Sequence, residues 1–361
     1  MKENRIVFIN AISLAGGATT IFTILYEGLD INKKIVMNGA LKNKMNFKEN
    51  AIFFPFIDIR KNIFYVFRFI IYYPYILFKL FFIIKKNDII LANNLISLLY
   101  VSCFKYIYGN KIILHNHSSF KKTSINKKYL SWYLNIFCNK IIVPSKYLKK
   151  DLIELGVKYS IIYVVYNGLD KIKTGKIENT EKLIIGVFGD ICRLKGQIVF
   201  AEAIRQLSEK NNIKVEGRIQ GYIFEKPYYE KLKKEYSCLI YNGILKFYER
   251  TNREEALDIM SKCDIIICPS IGNDVLPTVL IEAMAMKKAT IGTRVGGIPE
   301  IIEDGITGLI INPDSVTEIV NAVIKLKNIN TRIDFGKKGY DRFKKYFSSN
   351  RFINEVKYIL S

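Results

Sequence analysis

Residues 268–302 read CPSIGNDVLPTVLIEAMAMKKATIGTRVGGIPEII. The stretch opens where the apolar run 264–268 meets Pro269-Ser270, and a proline there ends strand pairing because it has no N–H to give. A loop follows to Asp274, then seven residues, then Glu282 on a helix. A second apolar strand comes next, and then the loop Gly296-Gly297-Ile298-Pro299-Glu300. Two loops after neighbouring strands, each opening a helix, aim backbone N–H groups and helix dipoles at one place. That is a ready site for an anionic ligand.

The same alternation extends in both directions. Upstream, 183–188 is a strand, followed by Gly189-Asp190-Ile191-Cys192-Arg193-Leu194-Lys195-Gly196 and a helix to 210. Residues 213–216 form a strand with the loop 217–221 after it, and a helix over 254–261 leads into the opening stretch. Downstream come a last strand, 308–311, a helix, 315–326, and one long basic-aromatic helix, 337–360. The polar, aperiodic run KIKTGKIENTEK (171–182) is the interdomain linker.

The first half repeats the pattern. A strand-like run, 5–13, meets Gly16-Gly17 and an apolar helix to 29, the layout of a phosphate-approach loop. Strands follow at 88–92, 111–115, 140–143 and 161–165, with helices over 95–108 and from Pro144-Ser145 to 155. Both histidines of the chain, His115 and His117, sit just past the end of the 111–115 strand, the edge where open α/β sheets hold ligands. Strands alternating with helices in both halves imply two parallel sheets with right-handed crossovers. We place an N-terminal domain at 1–168 and a C-terminal domain at 169–336, with the helix 337–361 packing back on the first.

Segment 62–86, NIFYVFRFIIYYPYILFKLFFIIKK, is the most apolar. It approaches a membrane span in length, but Arg68, Pro74 and Lys79 interrupt it. It reads as a core helix of the first domain or as an interfacial amphipathic helix flanked by Lys61, Lys85 and Lys86.

With 361 residues, two domains each have room for a core. The net charge of +22 reflects lysine-rich solvated faces, or points to an anionic membrane surface or a phosphorylated substrate. Nucleic acid is excluded as a partner: the basic residues are spread along the chain and no recognition motif accompanies them. The six cysteines form no CxxC pair and lie largely in apolar runs, as reduced cytosolic thiols do, and the two histidines lie apart from them, so no metal site is expected.

Taken in order, Gly16-Gly17, PSKYLKKDLIELGV (144–157), YNGLD (166–170), GDICRLKGQ (189–197) and NDVLPTVLIEAMA followed by GGIPEII resemble the retaining glycosyltransferases of family 4. The resemblance covers nearly the whole chain and is strongest over 183–313. It implies the α/β GT-B fold: two Rossmann-like domains with parallel sheets facing across a cleft. It also implies a donor that is a UDP- or GDP-sugar, bound mainly by the C-terminal domain, with no further cofactor and no metal.

Residue by residue, the resemblance makes Glu282 the acceptor of ribose hydroxyl hydrogen bonds, a task that suits a two-oxygen carboxylate. Asp274 falls where the family has a glutamate near the donor sugar, one methylene shorter. Val275, Leu276, Pro277 and Thr278 match the loop and helix start facing sugar and diphosphate. Lys195 matches a diphosphate ligand. Asp190 stands where the family has an arginine, and Arg193 is expected to supply that cation from another direction. Gly16 and Gly17 match the loop closing over the diphosphate, and His117 the histidine at the donor or acceptor sugar.

The implied activity is metal-independent, hexosyl-type transfer to a glycan or lipid-linked glycan acceptor. Its setting is capsule, lipopolysaccharide or other cell-surface polysaccharide synthesis, in the cytoplasm or peripherally on the inner membrane face. Alternatives are a GT-B sugar-nucleotide epimerase and a non-enzymatic partner protein with a relic donor site.

Overall fold

The computed structural model describes residues 5–12, 16–42, 51–57, 63–121, 125–173, 182–249 and 252–361. Ser13, Leu14 and Ala15 of the first glycine loop and most of the linker 171–182 lie outside the described residues. The chain divides into two compact units: Met1–Gly168 with Ser349–Ser361, and Leu169–Ser348.

The first unit is a seven-stranded sheet in the order β3-β2-β1-β4-β5-β6-β7. Its strands are β1 (Ile6–Asn10), β2 (Lys33–Asn38), β3 (Ile52–Phe54), β4 (Ile89–Ala92), β5 (Lys111–His115), β6 (Lys140–Val143) and β7 (Ile162–Val164). Every pairing is parallel. The central strands β1 and β4 are buried along their whole length, as parallel strands covered on both faces must be. Helix α1 (Gly17–Gly28) packs its Phe22 and Tyr26 edge-on against Phe8 of β1, at 5.4 and 5.1 Å. Gly28 lets the last helix, Ser349–Leu360, pack closely: a Cβ there would lie 2.2 Å from Ile353 Cδ1, and that side chain would have to move. Helix α2 (Ile63–Ile83) is continuous through Pro74.

The second unit is a six-stranded parallel sheet in the order β10-β9-β8-β11-β12-β13. Its strands are β8 (Leu183–Phe188), β9 (Val215–Gln220), β10 (Leu245–Tyr248), β11 (Ile265–Cys268), β12 (Ala289–Thr293) and β13 (Leu309–Ile311). Phe200, Ile204 and Leu207 of one crossover helix meet Ile185, Ile265 and Ile291 of the sheet in one apolar core.

Some local expectations are corrected. Residues 217–220 are strand, not loop, because β9 continues to Gln220 between β8 and β10. Its Gly217 leaves room for Ile204 and Leu245, whose side-chain atoms would stand 2.9 and 3.0 Å from a Cβ. The helix expected over 95–108 is two, Leu95–Val101 and Phe104–Ile107. The single helix expected over 337–360 is also two, Ile329–Tyr346 and Ser349–Leu360. Between them Phe347 leaves helical geometry, and its carbonyl accepts from Leu169 N at 2.9 Å.

Candidate functional site

In the second unit the chain runs from β8 outward to β9 and β10, then crosses back to β11 on the other side of β8. The loops after β8 and β11 therefore lie side by side at the carboxyl ends of two adjacent strands, the switch point of the sheet. Lys195 lies in the first loop and Asp274 in the second.

Backbone contacts set their register. Leu194 O accepts from Ile271 N and Gly272 N at 2.9 and 3.3 Å, joining the two loops. Gly196 is left-handed at φ +70, and a Cβ there would lie 2.0 Å from Pro269 O, so only glycine allows this approach. The loop after β12 reaches the same place: Gly297 N donates to Asp274 O at 2.9 Å. Gly296, at φ +56, would put a Cβ 1.9 Å from that oxygen. Three loops thus converge on Asp274.

Its carboxylate is equally tied. Lys195 Nζ lies 2.6 Å from Asp274 Oδ2, and Ser270 Oγ donates to the same oxygen at 2.9 Å. Ser270 is itself held, its carbonyl accepting from Thr293 Oγ1 at 2.6 Å. Burial alone would lower the Lys195 pKa, but the adjacent carboxylate outweighs it and holds the ammonium above its usual range.

Beyond Asp274, Leu276 and Pro277 are buried, Val275 and Thr278 half-buried, and the helix Thr278–Ala285 begins with no side-chain cap. Glu282 sits in its second turn, nearly buried, and Arg253 Nη1 lies 2.8 Å from Glu282 Oε1. Burial raises the Glu282 pKa, and Arg253 opposes the rise without cancelling it. Arg253 opens the helix Arg253–Ser261, where Asn252 accepts from Glu255 N at 2.9 Å as N-cap. Sequence reasoning missed Arg253 and Ser270. Ser270 is adjacent to a strand end and could have been weighed; nothing local marks Arg253.

Arg193 is exposed in the short turn Arg193–Lys195, with its backbone N–H on Glu225 Oε2 at 3.5 Å. Among the described contacts none joins its guanidinium to Asp274 or Glu282. Asp190 is exposed at the end of β8, where its carbonyl accepts from Gln197 Nε2 at 2.9 Å.

The first unit carries the remaining candidates. Gly16 is the N-cap of α1 in extended backbone and Gly17 its first residue; both are exposed. His115 ends β5 fully buried, its Nδ1 3.4 Å from His117 Nε2, its ring stacked on Phe352 at 6.0 Å. His115 Nε2 is buried without a partner. Burial, and for His115 also the second ring, pushes both pKa values down, His117 to about 4. Both rings are therefore neutral at pH 7 and act as hydrogen-bonding groups, not cations.

The second unit thus gathers a cation, two carboxylates and a helix N-terminus at the switch point of a parallel sheet. The family model for glycosyl transferases group 1 matches residues 170–342, and that for glycosyltransferase family 4 matches 42–171. The chain belongs to the family 4 glycosyltransferases of GT-B type. Among its relatives is the uncharacterized glycosyltransferase MJ1178 of Methanocaldococcus jannaschii, 28% identical over 229 residues, 62% of this chain and 60% of that protein. A second from the same organism, MJ1069, is 27% identical over 291 residues, 74% of this chain and 72% of the relative. The alignment thus spans less than two thirds of the first of them. The crystal structure of Anabaena Alr3699/HepE in complex with UDP and glucose superposes with a TM-score of 0.82 at 16% identity, covering 98% of each chain, a likeness of fold.

Proposed function

We propose that this chain is a retaining, hexosyl-type glycosyltransferase that moves a sugar from a UDP- or GDP-sugar to a glycan or lipid-linked glycan acceptor in cell-surface polysaccharide synthesis. The observation that carries the reading is the convergence of three loops on Lys195 and Asp274 at the β8/β11 switch point, with Glu282 on the helix that follows. Glu282 presents a nearly buried carboxylate for two ribose hydroxyls, exchanging Arg253 for the diol. Lys195 neutralises the diphosphate, and its charge, with backbone amides and the helix N-terminus, stabilises the leaving nucleoside diphosphate without a divalent ion. His117, neutral, offers a hydrogen bond in place of a charge. That a structural neighbour was crystallised with UDP supports a uridine donor as the first to try.

The same ion pairs favour a second reading. Lys195 and Glu282 are each satisfied by a neighbouring side chain, as they would be in a non-enzymatic protein with a relic donor site. A thermal-shift screen with UDP, GDP, ADP and their sugars separates the two, since stabilisation grows with ligand concentration over Kd. Stabilisation by one nucleotide, followed by nucleoside diphosphate release with EDTA present and an α-linked product from an α-linked donor, is expected. No shift and no release with any donor would leave the relic reading.

A further inference from the structure

Helix α2 is apolar on two opposite sides. One side is accounted for: Ile76, Leu80 and Ile84 are buried, Tyr73 stacks on Tyr100 at 5.7 Å, and Phe81 meets Phe104 at 5.0 Å. The other faces solvent. Phe67, Ile70, Ile71, Tyr75, Phe78 and Phe82 are 60, 62, 72, 52, 59 and 70% exposed. At roughly 100° per residue they form one stripe about 140° wide, opposite Tyr73, Ile76 and Leu80; half-buried Phe81 lies within its angular range and is partly covered by Phe104. On the Phe104–Ile107 helix, which α2 meets through Phe81 and Phe104, Tyr106 and Ile107 are also exposed. A contiguous apolar surface of this extent marks an interaction site.

Charge identifies what covers it. Residues 61–150 contain fifteen Lys or Arg and one acid, Asp88, a net +14 of the chain's +22. Asp88 is buried and bound to Arg5 at 2.5 Å, so the segment presents no exposed carboxylate. Lys79, Lys85 and Lys86 are exposed on and just beyond α2, and Lys79 Nζ lies 5.8 Å from the Tyr75 ring. Aromatic rings beside lysines, over an apolar stripe, match the boundary between headgroups and acyl chains. An anionic bilayer supplies both an apolar interior and a negative surface at one place; a protein partner would have to combine the two in matching geometry. Among the described residues no helix is long and apolar enough to cross a membrane.

We infer that the exposed side of α2 is a membrane-docking face that lies flat in the interface of an anionic bilayer. The stripe enters the acyl boundary, and Lys79, Lys85 and Lys86 contact the phosphates of the headgroups. This deepens the lipid-linked-acceptor reading, but its test requires no catalysis.

The full chain is floated with vesicles of phosphatidylcholine alone, or of phosphatidylcholine with phosphatidylglycerol, at low and high salt. Capture by the anionic vesicles only, weakened by salt, is expected. Phe78→Ala and Phe82→Ala each lower the partition coefficient about tenfold. The double variant Lys85→Gln, Lys86→Gln lowers it at low salt only. Melting temperature stays at the wild-type value in all three, because these side chains lie outside the core. Failure of capture, equal capture by neutral vesicles, or capture indifferent to the α2 variants overturns the inference. So does a solution dimer that Phe78→Ala disperses, since a second copy would then cover the stripe. Transfer to a soluble acceptor, measured in parallel, reports on the enzymatic reading alone.

Discussion

Replacing Asp274 with Asn separates two roles of one carboxylate. In the ligand-free site Asp274 Oδ2 holds Lys195 at 2.6 Å, with side-chain exposures of 32% for Lys195 and 12% for Asp274. Breaking a fully buried pair costs about 3–5 kcal/mol, but solvent at Lys195 reduces this to about 2 kcal/mol. Asn can still accept from Ser270, so that bond does not add to the loss. For a unit of this size the melting temperature should fall by about 4–8 °C. The donor phosphates, in contrast, gain. A phosphate on Lys195 would sit about 6 Å from the Asp274 charge, and at an effective dielectric near 40 that repulsion is about 1.4 kcal/mol, or tenfold in Kd. Asp274→Asn is therefore expected to melt earlier yet bind UDP or GDP about tenfold more tightly. Calorimetric titration of the variant and wild type, beside their unfolding curves, measures both. Weaker nucleotide binding in a folded variant would refute the reasoning, because Asp274 would then assist the diphosphate instead of competing with it.

Other expectations follow from individual contacts. Gly296→Ala should cost more than about 3 kcal/mol, since its Cβ would overlap Asp274 O at 1.9 Å in left-handed backbone, whereas Gly305→Ala, at φ +73 with open space around it, should cost about 1 kcal/mol; equal costs in denaturant titrations would contradict the convergence of loops on Asp274. His117 has a depressed pKa, so its contribution to stability is present above 6.5 and is lost as pH falls toward about 4. His117→Asn should accordingly flatten the melting-temperature profile over that window, and a parallel profile would show that the ring is not desolvated. Glu282 has a raised pKa, so its contribution is present below the ordinary carboxylate value and lost as pH rises through the raised one. Glu282→Gln should thus gain stability relative to wild type as pH rises across that interval while losing nucleoside affinity, and a relative loss with rising pH would reverse the sign assigned to burial. Arg193→Ala should weaken nucleotide binding at low salt if its guanidinium serves the diphosphate; unchanged affinity removes it from the site.

Much of this was legible along the chain because its causes are local. Runs such as Ile265–Cys268 and 141–143 are short, apolar and largely β-branched and end at Pro269 and Pro144, which marks them as buried strands. Ser145 and Ser315 cap the helices they precede, accepting from Leu148 N and Glu318 N. The weak strands β2, β3 and β10 escaped notice. KKIVMN, IFF and LKFY are short or charged, and they become strands because a formed neighbour offers a ladder. Likewise the break before Ser349 depends on Leu169 reaching Phe347, far away in sequence.

The sequence by itself determined the alternation of strand and helix, the family, and the residue types available to the candidate site: Lys195, Asp274, Glu282 and the glycines around them. Periodicity, capping and turn chemistry act over a few residues and can be read in one dimension. Only the tertiary structure decided that Lys195 is held by Asp274, 79 positions away, and that Glu282 is held by Arg253. It also decided that one whole side of α2 stays exposed while the other is buried. Those outcomes depend on which strands neighbour each other: β11 crosses back beside β8, bringing together two loops that no local rule connects.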